Sequence, residues 1–155
     1  MEAMTSSELG RADRNLGKLL KRAEQAMLRA KGDAVKQAGI TLAQYVALVE
    51  LAAAPGVTAA ALARACLVTP QAMMVALKSM QEQGLIERRA HPRHRNVVEI
   101  YLTDVGREIL SVAGEYAAPI ERRVSDAFSP EERDTLATLL ARYAESIASP
   151  LDAIV

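Results

Sequence analysis

The sequence predicts a mainly α-helical chain with one small β-hairpin, in which short central helices and the hairpin are flanked by long helices at both ends. Three observations point to this class. Aromatic residues make up only 3% of the 155 positions, while alanine and leucine dominate. Apolar residues recur mostly at helical spacings of three and four. One stretch, "LIERRAHPRHRNVVEIYL", changes to short runs rich in β-branched residues on either side of a proline. Half of the chain is apolar, enough for a single domain, 1–155, to bury a core.

Taken in order, Leu16, Leu20, Ala23, Met27, Ala30 and Ala34 form one apolar stripe, predicting a helix over about residues 8–38 that ends at Gly39. The stripe outruns what a small core needs, so this helix is expected to pack against a long helix of a second chain. A second helix starts at "TLAQ", where Thr41 caps and Gln44 returns the bond as a capping box, and it stops at "APG", residues 54–56. Thr58 caps a short helix, "AAALARACL". The next helix lies in "TPQAMMVALKSMQEQG", with Thr69 as N-cap, Pro70 at the first position and Gly84 closing the C-terminus. Strands are expected over about 85–90 and 97–102, joined by a tip broken at Pro92.

Thr103 then caps a helix with Val105, Ile109, Val112, Tyr116 and Ile120 on one face, which Pro119 is expected to kink or interrupt. "SPEE" opens the last helix, with Ser129 as N-cap, Pro130 first and Glu132 as capping partner. Leu136, Leu139, Leu140, Tyr143 and Ile147 give that helix its own stripe, and Leu151, Ile154 and Val155 make the C-terminus too apolar to be left in water.

The formal charge is zero, with 19 basic and 19 acidic side chains, but it is unevenly spread. Residues 1–40 carry +3, 41–61 carry −1, 62–103 carry +3 and 104–155 carry −5. The densest positive stretch is "RRAHPRHRN", Arg88 to Asn96, with four arginines and two histidines in nine positions. A chain of zero net charge is not coated with cations, yet such a feature can guide a polyanion to one face.

Other chemistry is poorly supported. No Gly-rich phosphate loop, zinc-type spacing or nucleophile elbow is present, so neither an enzyme nor a cofactor is expected. Glu131, Glu132 and Asp134 sit in a first helical turn and read as capping. His91 and His94 lack a partner cluster and read as wing-tip residues rather than metal ligands, and Met73, Met74 and Met80 read as packing. Cys66, the single cysteine, has no intramolecular partner, which suits a reducing cytoplasm, and it reads as a buried, inert thiol. "MEAMTSSELGRADRNL" is too polar for a signal peptide, and no apolar run reaches the roughly 18 residues of a membrane span, so a soluble cytoplasmic protein without membrane contact is expected.

Helix, helix, then a basic-tipped hairpin is the order of a winged helix-turn-helix, whose second helix enters the DNA major groove while the hairpin tip reaches the minor groove. On the helix, the residues expected at DNA are Thr69, Gln71, Ala72, Met74, Val75 and Lys78. Gln71 suits adenine, Met74 or Val75 a thymine methyl, and Lys78 a phosphate. On the wing they are Arg88, Arg93, His94 and Arg95. A winged-helix module that binds a protein or a ligand without reading DNA is the competing reading, favoured by the thin set of base-reading side chains and opposed by the basic wing.

The segment "TLAQYVALVELAAAPGVTAAALARACLVTPQAMMVALKSMQEQGLIERR", the wing "HPRHRNVVEIYLTDVGREIL" and its "LTxxG" element at Leu102, Thr103 and Gly106 resemble the MarR family of bacterial transcription regulators. The resemblance spans nearly the whole chain, and residues 41–110 are its specific part. It implies a homodimer joined by terminal helices (8–38 and 104–155), a DNA-binding lobe (58–102), a pseudo-palindromic double-stranded DNA operator, and usually repression. It also implies a small aromatic or phenolic effector in a pocket between the lobes, for which Met27, Tyr45 and Tyr116 are the expected lining. The wing departs from the family pattern, since the places of its Asp-x-Arg motif fall on His94 and Asn96, with arginine one position earlier at Arg95.

Overall fold

A computed structural model of the chain describes residues 6–94 and 96–148. Six helices and a two-stranded antiparallel hairpin follow one another as α1 (Ser6–Val35), α2 (Leu42–Ala53), α3 (Ala59–Ala65), α4 (Pro70–Glu82), β1 (Ile86–Ala90), β2 (Val98–Leu102), α5 (Asp104–Asp126) and α6 (Pro130–Ala148). The described residues group into two compact units divided between Ala117 and Ala118. No single helix among them is long and apolar enough to cross a membrane.

Local capping chemistry fixes most boundaries. A 3-10 turn, Lys36–Ala38, follows α1 and is closed by Gly39 in the left-handed conformation at φ 78°. Thr41 Oγ1 accepts from Gln44 N at 3.2 Å while Thr41 N donates to Gln44 Oε1 at 2.8 Å, completing the expected capping box of α2. Thr58 and Thr69 cap α3 and α4 by accepting from Ala61 N and Ala72 N at 3.3 and 3.2 Å. At the end of α4, Gly84 has φ 70° and Leu85 N reaches back to Met80 O at 2.9 Å. Ser129 and Glu132 form a second reciprocal capping box at α6, with bonds of 2.8 and 3.2 Å.

Two expectations are corrected. The helix read from "AAALARACL" stops at Ala65, because Leu67 turns left-handed at φ 55° and Val68 N bonds back to Ala63 O at 3.0 Å. That conformation costs a non-glycine residue about 1–2 kcal/mol, and the Leu67 side chain is left 93% exposed. Of the kink or interruption expected at Pro119, the interruption does not occur, since α5 is assigned as one helix from Asp104 to Asp126. Proline's fixed φ is compatible with a helix, although its ring removes one backbone donor and crowds the preceding turn. The apolar C-terminal residues Leu151, Ile154 and Val155 lie outside the described residues.

In the first unit the core is built from Val35, Leu48, Leu51, Leu62, Leu77, Met80 and Ile100, all essentially inaccessible to solvent, and it extends to Ala113 and Ala117 of α5. The hairpin pairs Ile86 with Leu102, Arg88 with Ile100 and Ala90 with Val98. Ile86, Ile100 and Leu102 are buried, and these residues anchor the hairpin to α2, α3 and α4. An unforeseen bridge adds Val57 to the hairpin: Ile100 N donates to Val57 O and Gly56 N to Ile100 O, both at 3.0 Å. The start of the helix pair is thereby tied to the wing. The second unit contains α6, whose Leu136, Leu139, Leu140 and Ile147 are all exposed.

Candidate nucleic-acid interface

The tight turn after α3 sets the direction of α4, the two helices being bent by 110° from each other. Gln44 holds α4 from behind: this side chain is 3% exposed and its Nε2 donates to Ser79 Oγ at 3.1 Å. With Met73, Leu77 and Met80 buried, the opposite side of α4 is left to solvent. That side presents Gln71, Met74, Val75 and Lys78, with Met74 47% and Val75 72% exposed.

Met74, Val75 and Lys78 line one groove with Gln81 and Arg88. Thus β1 delivers an arginine to the exposed face of α4, as the charge of the wing suggested. Gln81 was missed by the sequence reading, although it falls three residues after Lys78 and seven after Met74 on the same helical face. Arg89 alternates to the other face of β1, where it pairs with Glu87 and lies 4.6 Å from the Tyr101 ring centroid. Of the two adjacent arginines, Arg88 is the one that shares a groove with α4.

The wing tip is organised by His91. Its Nδ1 accepts from Arg93 N and His94 N at 3.1 and 3.2 Å, its ring lies 4.8 Å from that of His94, and Nε2 is 3.7 Å from Glu99 Oε1. His91 N also donates to Val97 O, and Val97 N to His94 O, at 2.9 Å each. The side chains of Arg93 and His94 project from this turn and are exposed. Arg95 lies outside the described residues. Among the described residues no cluster of three or more His, Cys, Asp or Glu is placed to hold a metal.

The remaining expected site residues are placed as follows. Thr69 is exposed but uses its hydroxyl oxygen as the α4 cap. Ala72 is exposed and also borders a cavity of about 250 Å³ together with Met73 and Ala76. Met27 and Tyr116 are exposed on α1 and α5, and Tyr45 is half-buried against the core. None of these three belongs to that cavity's lining. The cavity does include Cys66, a free and half-buried thiol whose pKa is pushed up by burial and then by the Glu50 carboxylate. Cys66 therefore meets the expectation of an unreactive thiol only in part, since it is not fully buried.

Two helices at a sharp angle, with a hairpin beside the second, define a winged helix-turn-helix protein. The chain belongs to the MarR family, whose model matches residues 38–95. It is 31% identical over 123 residues to the HTH-type transcriptional repressor Rv2887 of Mycobacterium tuberculosis, covering 79% of this chain and 88% of that protein. Among solved structures it is similar to the transcriptional repressor CouR bound to a 23-mer DNA duplex, with 28% identity and a TM-score of 0.76, covering 92% of this chain and 99% of that one. It is also similar to Rv2887 of M. tuberculosis in complex with p-aminosalicylic acid, with 28% identity and a TM-score of 0.65, covering 83% and 98% of the respective chains.

Proposed function

We propose that the protein is a transcriptional repressor that binds an operator in double-stranded DNA as a homodimer and releases it when a small molecule binds. The observation that carries this reading is the groove in which Met74, Val75, Lys78 and Gln81 of α4 lie beside Arg88 of the wing. A helix of about this size fits the major groove. Its polar and apolar side chains face the base edges, while Lys78 and Arg88 meet phosphates. Arg93 and His94, exposed at the wing tip, continue the contact into the minor groove, and the charge of the adjoining Arg95 adds to it. Relatives that are repressors, and one bound to a DNA duplex, support the same assignment.

The homodimer follows from the apolar side chains left in water. Leu16, Leu19 and Leu20 of α1 and Leu136, Leu139, Leu140 and Ile147 of α6 are all exposed in the isolated chain. Exposed apolar residues on both end helices are the mark of a protein interface. Two copies place two recognition helices on one duplex, so a pseudo-palindromic operator follows from the protein's own symmetry. The division of labour is then residues 58–102 for DNA and the end helices for association. An aromatic effector acts by favouring a dimer whose recognition helices are wrongly spaced, as the aromatic acid held by Rv2887 suggests.

The test is fluorescence anisotropy of the purified dimer with the intergenic DNA upstream of its own coding sequence and with a scrambled duplex, at two salt concentrations. Preferential binding to the first is expected. With six to ten phosphate contacts, affinity falls by roughly 10³ to 10⁵ between about 50 and 200 mM salt. The double substitution Arg93→Ala with Arg95→Ala is expected to weaken binding without unfolding the dimer. Weak, equal and salt-insensitive behaviour toward both duplexes would instead identify a module that does not read DNA.

A further inference from the structure

We propose that His91 is the positioning residue of the wing tip, that it acts only as a neutral ring, and that acid therefore loosens the wing from DNA. The positioning role stands on the geometry of the tip, and the release rests on the reading of the protein as a DNA-binding repressor.

The tautomer follows from what each ring nitrogen faces. Nδ1 meets two backbone donors, Arg93 N at 3.1 Å and His94 N at 3.2 Å, and it accepts from them only through an unprotonated lone pair. The ring proton is therefore on Nε2, which faces Glu99 Oε1 at 3.7 Å. Both side chains are partly buried, so this arrangement is held within the hairpin and not in open water. Pro92 brings no N–H of its own, and the ring serves the two amides that follow it.

Protonation reverses the chemistry at Nδ1. An imidazolium donates from both nitrogens, so a ring N–H would face those of Arg93 and His94, and both bonds are lost. His94 N retains the longer bond to His91 O at 3.3 Å. The charged groups around the ring reinforce the change. On β2, Glu99 accepts from the Tyr101 hydroxyl at 2.9 Å through one oxygen and turns the other to His91, so the charged ring holds Glu99 and releases the turn. Within the turn, the His94 ring lies 4.8 Å away and becomes a like charge when it too is protonated. On β1, Arg89 stands opposite Glu99 in the register, but its guanidinium pairs with Glu87 and lies over the Tyr101 ring. Arg93, whose amide is one of the two released, is an exposed cation that the turn presents.

The sign of the effect separates this device from a simple gain of charge. Extra positive charge on a wing tightens its phosphate contacts as pH falls. Loss of the turn instead scatters Arg93, and only the fraction of molecules with a neutral His91 binds well.

Asparagine separates the acceptor from the proton. Its Oδ1 stands as many bonds from the backbone as Nδ1 of histidine, it favours a turn before proline, and it does not titrate. Anisotropy with the upstream intergenic duplex is measured for the full-length wild type, His91→Asn and His91→Ala at about pH 7.5 and 5.5 and constant ionic strength. Relative to His91→Asn, the wild type is expected to lose roughly tenfold in affinity at the lower pH. At the higher pH His91→Asn should match the wild type, while His91→Ala binds about three- to tenfold more weakly. His94 is present in every chain, so its own titration cancels in the comparison. Without DNA, NMR of the nitrogen-labelled ring should show Nδ1 unprotonated at neutral pH. The Arg93 amide should shift with the His91 ring in the wild type and lose that response in His91→Asn. An equal pH response of wild type and His91→Asn, a wild type that gains on it in acid, or an asparagine variant as weak as the alanine one would each overturn the proposal. A proton on Nδ1 in the free protein at neutral pH would do the same. Failure of all chains to bind the duplex at either pH would overturn the DNA reading and the acid release with it, while the ring spectra still decide the positioning role.

Discussion

Gln44 joins the two helices that frame the recognition element. Its Nε2 donates to Ser79 Oγ at 3.1 Å across to α4, while its Oε1 accepts from Thr41 N at 2.8 Å within the capping box of α2. It is the one buried polar side chain in the core of the described residues, at 3% exposure. Replacement by alanine removes both bonds and leaves Thr41 N without its partner. Gln44→Ala is therefore expected to lower stability by about 1–3 kcal/mol in urea unfolding. A change within error would show that the tie between α2 and α4 contributes nothing.

A second constraint lies at Gly106, where a Cβ would overlap the carbonyl oxygen of Leu85. That oxygen also accepts from Thr103 N at 3.1 Å, so it cannot withdraw without breaking the junction between β1 and α5. Gly106→Ala is expected to cost about 1–3 kcal/mol or more through overpacking. Gly32, inside α1, has open space where a Cβ would stand. Gly32→Ala should instead stabilise the chain by roughly 0.5–1 kcal/mol. Equal melting temperatures for the two variants would refute the steric account.

These details show which parts of the molecule are legible from sequence. The capping threonines, Ser129 with Glu132, and the hairpin were readable because each depends on neighbouring residues and a local period. The shared groove of α4 and Arg88 was half readable, since strand alternation distinguishes Arg88 from Arg89 only once the register is known. The bridge from Val57 to Ile100, the bond from Gln44 to Ser79 and the cavity at Cys66 join residues distant in sequence. Nothing in local periodicity encodes them. That Ala72, exposed on α4, also borders this cavity is equally hidden from local periodicity.

On α6, Leu136, Leu139 and Leu140 are each about two-fifths exposed. Their burial against a second copy would be lost with a charged replacement. Leu139→Glu is expected to shift sedimentation from dimer to monomer at micromolar concentration and to weaken operator binding in parallel. A variant that stays dimeric would remove Leu139 from the interface.

Gln71 lies one residue inside α4 and is exposed. A glutamine in this place offers one donor and one acceptor to adenine. Gln71→Ala is expected to reduce discrimination at one base pair in each half-site by about 1–3 kcal/mol while leaving the salt dependence unchanged. Binding to a panel of operators with single base changes measures it directly. An unchanged preference at every position would show that Gln71 reads no base.

Cys66 provides a pH test of the cavity wall. Burial raises its thiol pKa above the ordinary 9.0, and the Glu50 carboxylate adds to the effect. The folded state thus favours the neutral thiol, so its contribution to stability is complete below the unfolded pKa and is lost as pH rises through the higher folded value. Relative to Cys66→Val, the wild-type melting temperature should therefore hold level up to about pH 8.5 and decline at higher pH, since other groups titrate alike in both chains. Alkylation of the native thiol at neutral pH should also be slower than that of the unfolded chain, because less thiolate is present and access is partial. A native rate equal to the unfolded one, with no divergence of the two melting curves above pH 9, would place Cys66 in open solvent and leave the cavity without that wall.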